Sequence, residues 1–451
     1  MCDNAKALER SSFACEYALS LLRDVGFDYD QLLPTADHPA VSWARSGLME
    51  ITGHEQGPPL ICPVALSACA DGALTALRAL GDAPTLEGIA GSSLLGERAR
   101  LMGFSRKGMV SAGGSCRLLE TADGVIAANL ARDEDWYYLS AWLEEEVGEN
   151  WPSLARAVRS RSTAVLVTRA RLIGLAIAPD ESPARQSSGW FRRRNYGTCR
   201  EPGKDKPARV VDLSSLWAGP LCAQLLQALG AQVIKVESCL RPDGARLGDA
   251  RFYDLLNAGK LSVMLDFSRS EDLQVLTALI DSADIVIESS RPRALYQLGI
   301  RADDAVARGR GLTWVSVTAY GRGGDAGNWV GFGDDTGVAA GLASCMYEAH
   351  GERLFAGDAV ADPLTGLHAA LVAWASYRLG GGSLVELSLR DIVAHCISAD
   401  GEADRAVRAL CWQKIGMKHR TERYPLRRPA QMAAAVGADT EQVLGQLMGS
   451  Y

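Results

Sequence analysis

From Arg209 onward, short β-branched runs alternate with stretches of helical spacing, and this alternation restricts the fold more than any other feature of the 451-residue chain. Arg209–Leu213, Gln232–Val236, Leu261–Leu265, Ile285–Ile287 and Leu312–Val317 are apolar runs too short for helices. Between them, Ala218–Leu229, Asp272–Ile280 and Ala294–Leu298 carry helical periodicity, the first stopping at Gly230. Strands separated by helices pair in parallel and build a doubly wound sheet, so the fold class is α/β. Ligands of such sheets bind beyond the carboxyl ends of the strands. Function is therefore expected in the loops Ser214–Pro220, Glu237–Arg246, Glu288–Arg293 and Thr318–Gly324.

The first 200 residues read differently. Asn4–Leu22 and Ala65–Leu80 are expected helices, Ser115–Leu119 and Val125–Asn129 strands around an Ala122-Asp123-Gly124 turn, and Asp135–Glu144 and Trp151–Val158 helices. The polar stretch Pro179–Pro207, with Ser187-Ser188-Gly189, Arg192-Arg193-Arg194 and Pro202-Gly203-Lys204, reads as a solvated linker.

Several function classes find no support. A net charge of -7 gives no basic surface for nucleic acid. No apolar run approaches the ~20 residues of a membrane span. The N-terminus lacks the pattern of a signal peptide, and the eleven cysteines, with no C-x-x-C pair, read as small core residues of a reducing compartment. A cytoplasmic protein with no metal is expected. The loop Ser214-Ser215-Leu216-Trp217-Ala218-Gly219-Pro220 has no G-x-G-x-x-G, and neither a P-loop nor a G-x-S-x-G elbow occurs.

The segment Ala356–His368 is the richest in chemistry. Asp362 stands before Pro363 ahead of the apolar stretch Leu367–Leu379, the pattern of an N-cap with proline at the first helical position. The carboxylate is a helix cap or a nucleophile at the positive end of a helix, and Asp358 is its rival. A weak repeat accompanies it. Gly47-Leu48-Met49 leads through Pro58-Pro59-Leu60 to Ala70-Asp71-Gly72, as Gly341-Leu342 leads through Arg353-Leu354 to Ala361-Asp362-Pro363. Either both are ordinary helix starts, or they are a duplicated half-module of which one copy has lost its chemistry.

An ordered set of short motifs resembles one family. Val210-Val211-Asp212-Leu213, Ala218-Gly219-Pro220 and Leu229–Glu237 come first, then Asn257-Ala258-Gly259-Lys260, Ala283–Glu288 with Arg291-Pro292, and Leu298-Gly299. Val315-Ser316-Val317 with Tyr320-Gly321, Ala361-Asp362 and Val385–Asp391 follow. In this order they resemble the family III CoA-transferases, which share their fold with α-methylacyl-CoA racemase. Ala112–Leu118, Ala122-Asp123-Gly124 and Asp135-Trp136 resemble that family's small domain, and Arg428-Pro429-Ala430 with Gly437–Thr440 its closing segment, so the segment order here is rearranged.

The resemblance implies a Rossmann-like doubly wound parallel sheet domain with a second, smaller α+β domain. The expected division is a helical segment with a partial Asp module (1–100), a small α+β domain (101–180), a linker (181–208), the CoA-binding and catalytic domain (209–400) and a tail packing back on it (401–451). It implies Asp362 as the nucleophile that attacks an acyl-CoA thioester. Leu216, Trp217 and Ala218 match pantetheine contacts, although the family often has glutamine where Trp217 stands. Lys260 matches a phosphate contact, Arg291 a pyrophosphate or adenine contact, Ser289 and Leu298 adenine-side positions, and Tyr320 a position near the thioester. The glycine stretches Gly321–Gly324 and Ala112–Ser115 are candidate oxyanion donors. No permanent cofactor is implied; coenzyme A or acyl-CoA is substrate, a carboxylate the acceptor, and an interlocked homodimer the assembly. Where the racemase branch carries a proton-moving histidine, this chain has Phe332, followed by Asp334 and Asp335. That favours transfer over racemisation. An isomerase or dehydratase on the same scaffold, or an idle CoA-binding homologue or partner subunit, are the alternatives.

Overall fold

The computed structural model describes residues 13–32, 37–183, 189–203, 206–401, 404–429 and 431–448. Among the described residues, ten strands form two sheets. The larger holds β4 (Arg192–Asn195), β5 (Arg209–Asp212), β6 (Gln232–Ser238), β7 (Leu261–Leu265), β8 (Ile285–Glu288), β9 (Thr313–Thr318) and β10 (Ser383–Ser388), in the order β4-β10-β9-β8-β5-β6-β7. β5 through β10 run parallel, and only β4 is antiparallel, against β10. Counted from β5, the order is third, second, first, fourth, fifth, sixth: the doubly wound sheet expected from the strand–helix alternation, in the Rossmann-like form the resemblance implied. The direction of winding reverses between β5 and β8. β8 and β9 are buried along their whole length, as strands covered on both faces by helices must be.

The helix Ala361–Arg378 is buried on nearly every side. Helix Ala218–Ala228 and the N-terminal helix Leu66–Ala79 pack against it, and helix Phe13–Asp24 packs on the latter. One apolar core runs through all of them, so the described N-terminal residues are an added layer on the sheet domain. Of the predicted helix Asn4–Leu22, residues 4–12 lie outside the described residues.

The repeat has a structural counterpart. Gly47 (φ +87°) and Gly341 (φ +96°) both adopt the left-handed conformation that favours glycine, after helices Pro39–Arg45 and Gly333–Ala339. Helices Leu66–Ala79 and Ala361–Arg378 follow, the first after a 3-10 turn at Leu48–Ile51 and the second after helix Leu342–His350, and the two pack on each other. The copies differ in their acids. The first turn of Leu66–Ala79 has none, and Asp71 lies further along, accepting from Ser42 Oγ (2.9 Å) and the Ser92 N–H (2.8 Å). Asp71 joins two N-terminal segments and does not occupy the place of Asp362.

The smaller sheet is an antiparallel meander of β1 (Cys116–Glu120), β2 (Val125–Asn129) and β3 (Ala176–Pro179), backed by helices Leu139–Leu143, Trp151–Val158 and Thr163–Ile173 around their own core. It docks on the large domain of its own chain. Asn129 Nδ2 donates to Asp335 (2.9 Å), and Asp180 pairs with Arg353 (2.6 Å).

The expected linker needs correcting. Its Arg192–Asn195 run is β4, hydrogen-bonded to β10 with all four residues exposed. The open edge of β10 offers unpaired backbone groups, and arginines suit a strand whose other side is water. Ser187, Ser188 and Lys204 of that stretch lie outside the described residues. At the opposite edge, the C-terminal segment satisfies β7. Asp439 accepts from the Ser262 N–H (2.7 Å) and donates its own N–H to Ser262 O (2.9 Å), while Thr440 Oγ1 accepts from the Met264 N–H (3.1 Å). No described helix is long and apolar enough to cross a membrane.

Candidate functional site

Asp362 is the second residue of helix Ala361–Arg378, and Pro363 the third; Val360 takes the N-cap position without a side-chain bond. The N-cap reading of Asp362 is thus corrected: the cap lies two residues earlier. Ala359, with φ +43°, bends the chain into the helix early, and the Asp362 N–H already bonds Ala359 O (2.9 Å). The carboxylate is left free of capping and points to Gly333, whose N–H donates to it. Burial raises this carboxyl to about 7; Arg98 opposes the rise, Asp334 and Asp358 add to it, and the Gly333 N–H opposes it.

Three more aspartates crowd the site. Asp358, fully buried, is gripped through both oxygens by Arg98, from Nε (2.8 Å) and Nη2 (2.6 Å). That leaves the rival carboxylate committed to a bidentate pair. Asp334 accepts from the Ala359 N–H (2.9 Å), and burial followed by Asp358 raises it to about 6. Asp335 accepts from Asn129, the Phe332 N–H (2.8 Å) and Tyr320 Oη (3.2 Å), and burial raises it to about 7. A small cavity beside them, with room for about one water, is lined in part by Gly333, Asp334, Leu354, Phe355 and Val360.

Gly333 makes this arrangement possible. A Cβ on it would lie 2.2 Å from Asp362 Oδ2 and 2.5 Å from Ala359 O. Gly333→Ala is expected to push the carboxylate aside. Turnover should fall about 10²-fold for an ångström of displacement, with a stability loss of about 1–3 kcal/mol from overpacking; steady-state rates and denaturant melts check it.

The residues matched to CoA contacts separate into two groups. Leu216, Trp217, Ala218, Ser289 and Arg291 lie just beyond the carboxyl ends of β5 and β8, where the winding reverses, whereas Leu298 closes the following helix Pro292–Gln297. Leu216 is exposed with φ +70°, a strained backbone for a non-glycine, fixed by Asp243 accepting its N–H (3.0 Å). Ser289 Oγ accepts from the Ser215 N–H (3.0 Å) and ties the two loops. Trp217 is buried edge-on to Phe252, and the Arg98 guanidinium lies 4.8 Å over its ring. Arg291 has no carboxylate partner among the described residues; burial and then Arg293, Arg132 and Arg241 pull its pKa below the ordinary value. Leu298 is partly buried against the apolar core on one side of the sheet.

Lys260 and Tyr320 do not face a ligand. The Lys260 ammonium is buried and donates to Asp212 (2.8 Å), Pro220 O (2.9 Å) and Asn257 (3.1 Å), which uses all three of its protons. The phosphate reading of Lys260 is therefore corrected: β5 ends in a buried aspartate that needs a cation, and Lys260 supplies it. Tyr320 is buried with its hydroxyl on Asp335. Of the glycine stretches, Gly321 spends its N–H on Thr318 Oγ1 (3.0 Å), whereas Gly113 borders Arg98.

Sequence reading missed Arg98 and the packing role of Gly333. Nothing marks Arg98 out from its neighbours in Glu97-Arg98-Ala99-Arg100, since its partners lie some 260 positions away in the chain. Gly333 carried a readable signal, a glycine directly before two aspartates at a helix start.

Comparison with known proteins bears on the same region. The sequence model of CoA-transferase family III matches residues 206–420. An acyl-CoA transferase of Fusarium pseudograminearum is 27% identical over 49% of this chain and 51% of its own length. The succinate–glutarate CoA-transferase of Agrobacterium fabrum is 28% identical over 41% of this chain and 50% of its own. A crystal structure of the hypothetical protein Rv3272 from Mycobacterium tuberculosis aligns with 31% identity and a TM-score of 0.39, covering 43% of this chain and 57% of that one. The chain spans about half the length of the curated relatives it matches. Residues 206–420, which hold the doubly wound strand order and the Asp362 helix, are thus similar to CoA-transferase family III.

Proposed function

We propose that this chain transfers coenzyme A between an acyl-CoA and a carboxylate acceptor, with Asp362 as the nucleophile. The observation that carries the reading is the Asp362 carboxyl itself, half-buried, uncapped, at the first turn of a buried helix and with its pKa raised to about 7. A desolvated carboxylate attacks a thioester carbonyl more readily than one in water. Attack forms a mixed anhydride and expels CoA thiolate. The thiolate then attacks the aspartyl carbonyl, giving an aspartyl-CoA thioester and releasing the first carboxylate. The acceptor carboxylate attacks that thioester, and the thiolate expelled a second time takes up the new acyl group and frees Asp362.

The CoA end is assigned to the β5–β8 reversal. Arg291 meets phosphate, Ser289 and Leu298 border the adenine, and Leu216 and Ala218 guide the pantetheine arm, with Trp217 beneath Arg98 fixing the floor. The cavity beside Gly333 and Asp334 has room for about one water and is too small for that arm.

Incubation with a panel of acyl-CoAs, trapping with hydroxylamine and peptide mapping test the assignment. Modification at Asp362 and exchange of labelled CoA into the acyl-CoA pool are expected. α-Proton exchange from deuterated water without CoA exchange would instead indicate an isomerase, and binding with neither reaction an idle homologue.

A further inference from the structure

We propose that Arg98, brought by an N-terminal segment outside the family-matched region, is a positioning residue of the Asp362 site, holding Asp358 and Trp217 in place and supplying the positive charge that lets Asp362 ionise. The inference rests on the reading of Asp362 as the reacting carboxylate.

Three features of the fold aim this side chain. Helix Ser93–Met102 seats directly on the backbone at Ser46, the end of helix Pro39–Arg45, because Gly96 leaves no Cβ to meet Ser46 O, 2.1 Å from where one would stand. Its flanking residues are tied to the C-terminal segment: Glu97 pairs with Arg427 (2.6 Å), and Arg100 donates to Tyr424 O (2.8 Å). Arg98, on the other side, reaches inward to grip Asp358 and lie over Trp217.

The charges around Asp362 explain why a cation is needed. Asp358 precedes it on the same chain segment, Asp334 faces it from helix Gly333–Ala339, and Asp335 stands behind Asp334, held by Asn129 and Tyr320 from two other elements. Arg98 is the largest cationic influence on Asp362. Burial works against its charge, and Asp358, Asp334 and Asp362 all act to hold the proton on it. Arginine also fits where lysine would not, since one planar fork spans both Asp358 oxygens while its face rests on an indole.

The test follows the pH midpoint of Asp362. Acylation by acyl-CoA is measured against pH by the hydroxylamine assay in the parent, Arg98→Gln and Arg98→Lys. In Arg98→Gln the midpoint is expected to rise by about one unit or more, with the rate recovering at high pH. In Arg98→Lys the midpoint should stay near the parent's while the plateau falls. An unmoved midpoint in Arg98→Gln, or an equal loss at every pH, overturns the inference. Should Arg98→Gln not fold, the same step is measured from Asp358→Asn to the Asp358→Asn/Arg98→Gln pair, where no carboxylate loses its partner; the same rise is expected, and its absence is fatal.

A second arm needs no reaction. The melting temperature of Asp362→Asn minus that of its parent reads the ionisation directly. A carboxyl raised above its unfolded pKa contributes stability that is complete below about pH 4 and lost as pH rises through about 7. Asp362→Asn should thus gain on its parent from about pH 4 to about 7 and no further above it, the gain running on to higher pH in the Arg98→Gln background. If no acyl-CoA labels the parent, the transferase reading fails, and this arm alone decides Arg98.

Discussion

Asp362→Ala is expected to abolish hydroxylamine-trappable labelling and to slow CoA exchange by at least about 10³-fold, because a covalent route has no substitute when its nucleophile is gone. The protein should stay folded. The deleted carboxyl caps nothing and is costly to ionise where it stands, so at pH 8 the variant should melt no lower than the parent. Mass mapping of trapped peptides and thermal melts measure both. Asp358 is not expected to take over, since Arg98 holds both its oxygens. Label at Asp358 in the parent would move the site.

Lys260→Met should act in the opposite way, costing stability and sparing binding. Asp212 lies at the end of β5 with Lys260 on one oxygen and Ser214 on the other, all of it buried. Lys235 runs alongside, joined to Ser214 O (2.9 Å) and Asp243 (2.9 Å), and Asp243 in turn holds Leu216. Removing one partner of such a pair strands a buried charge and costs about 3–5 kcal/mol. Denaturant unfolding measures that loss. CoA affinity of the folded protein, by calorimetry, should be within a few-fold of the parent's, since no Lys260 proton is left for a phosphate. A large loss of affinity at full stability would restore the phosphate-contact reading.

The sheet was legible because strand alternation is written locally. Leu261–Leu265, Val125–Asn129 and Trp151–Val158 appear with the boundaries their apolar patterns predict. β4 was not, since three arginines carry no β-branched or apolar signal; pairing with β10 makes it a strand. The Asp362 site was half legible. Its aspartates sit in recognisable helix starts, whereas Arg98 and Asn129 come from distant segments, and only tertiary packing decides which cation faces which carboxylate. Lys260 shows the converse. Asn-Ala-Gly-Lys looks like an exposed loop, yet Asp212 draws its lysine inside.

The seven-stranded sheet ends in guanidinium groups on one flank and in a clasp made by Asp439 and Thr440 on the other. Those two residues keep the row of amides and carbonyls along Leu261–Leu265 from meeting a foreign strand. Shortening the chain to residue 436 would bare that row beside the half-exposed Met264. Such a truncated protein should self-associate on concentration, through templated strand addition, while its distant acidic pocket stays intact.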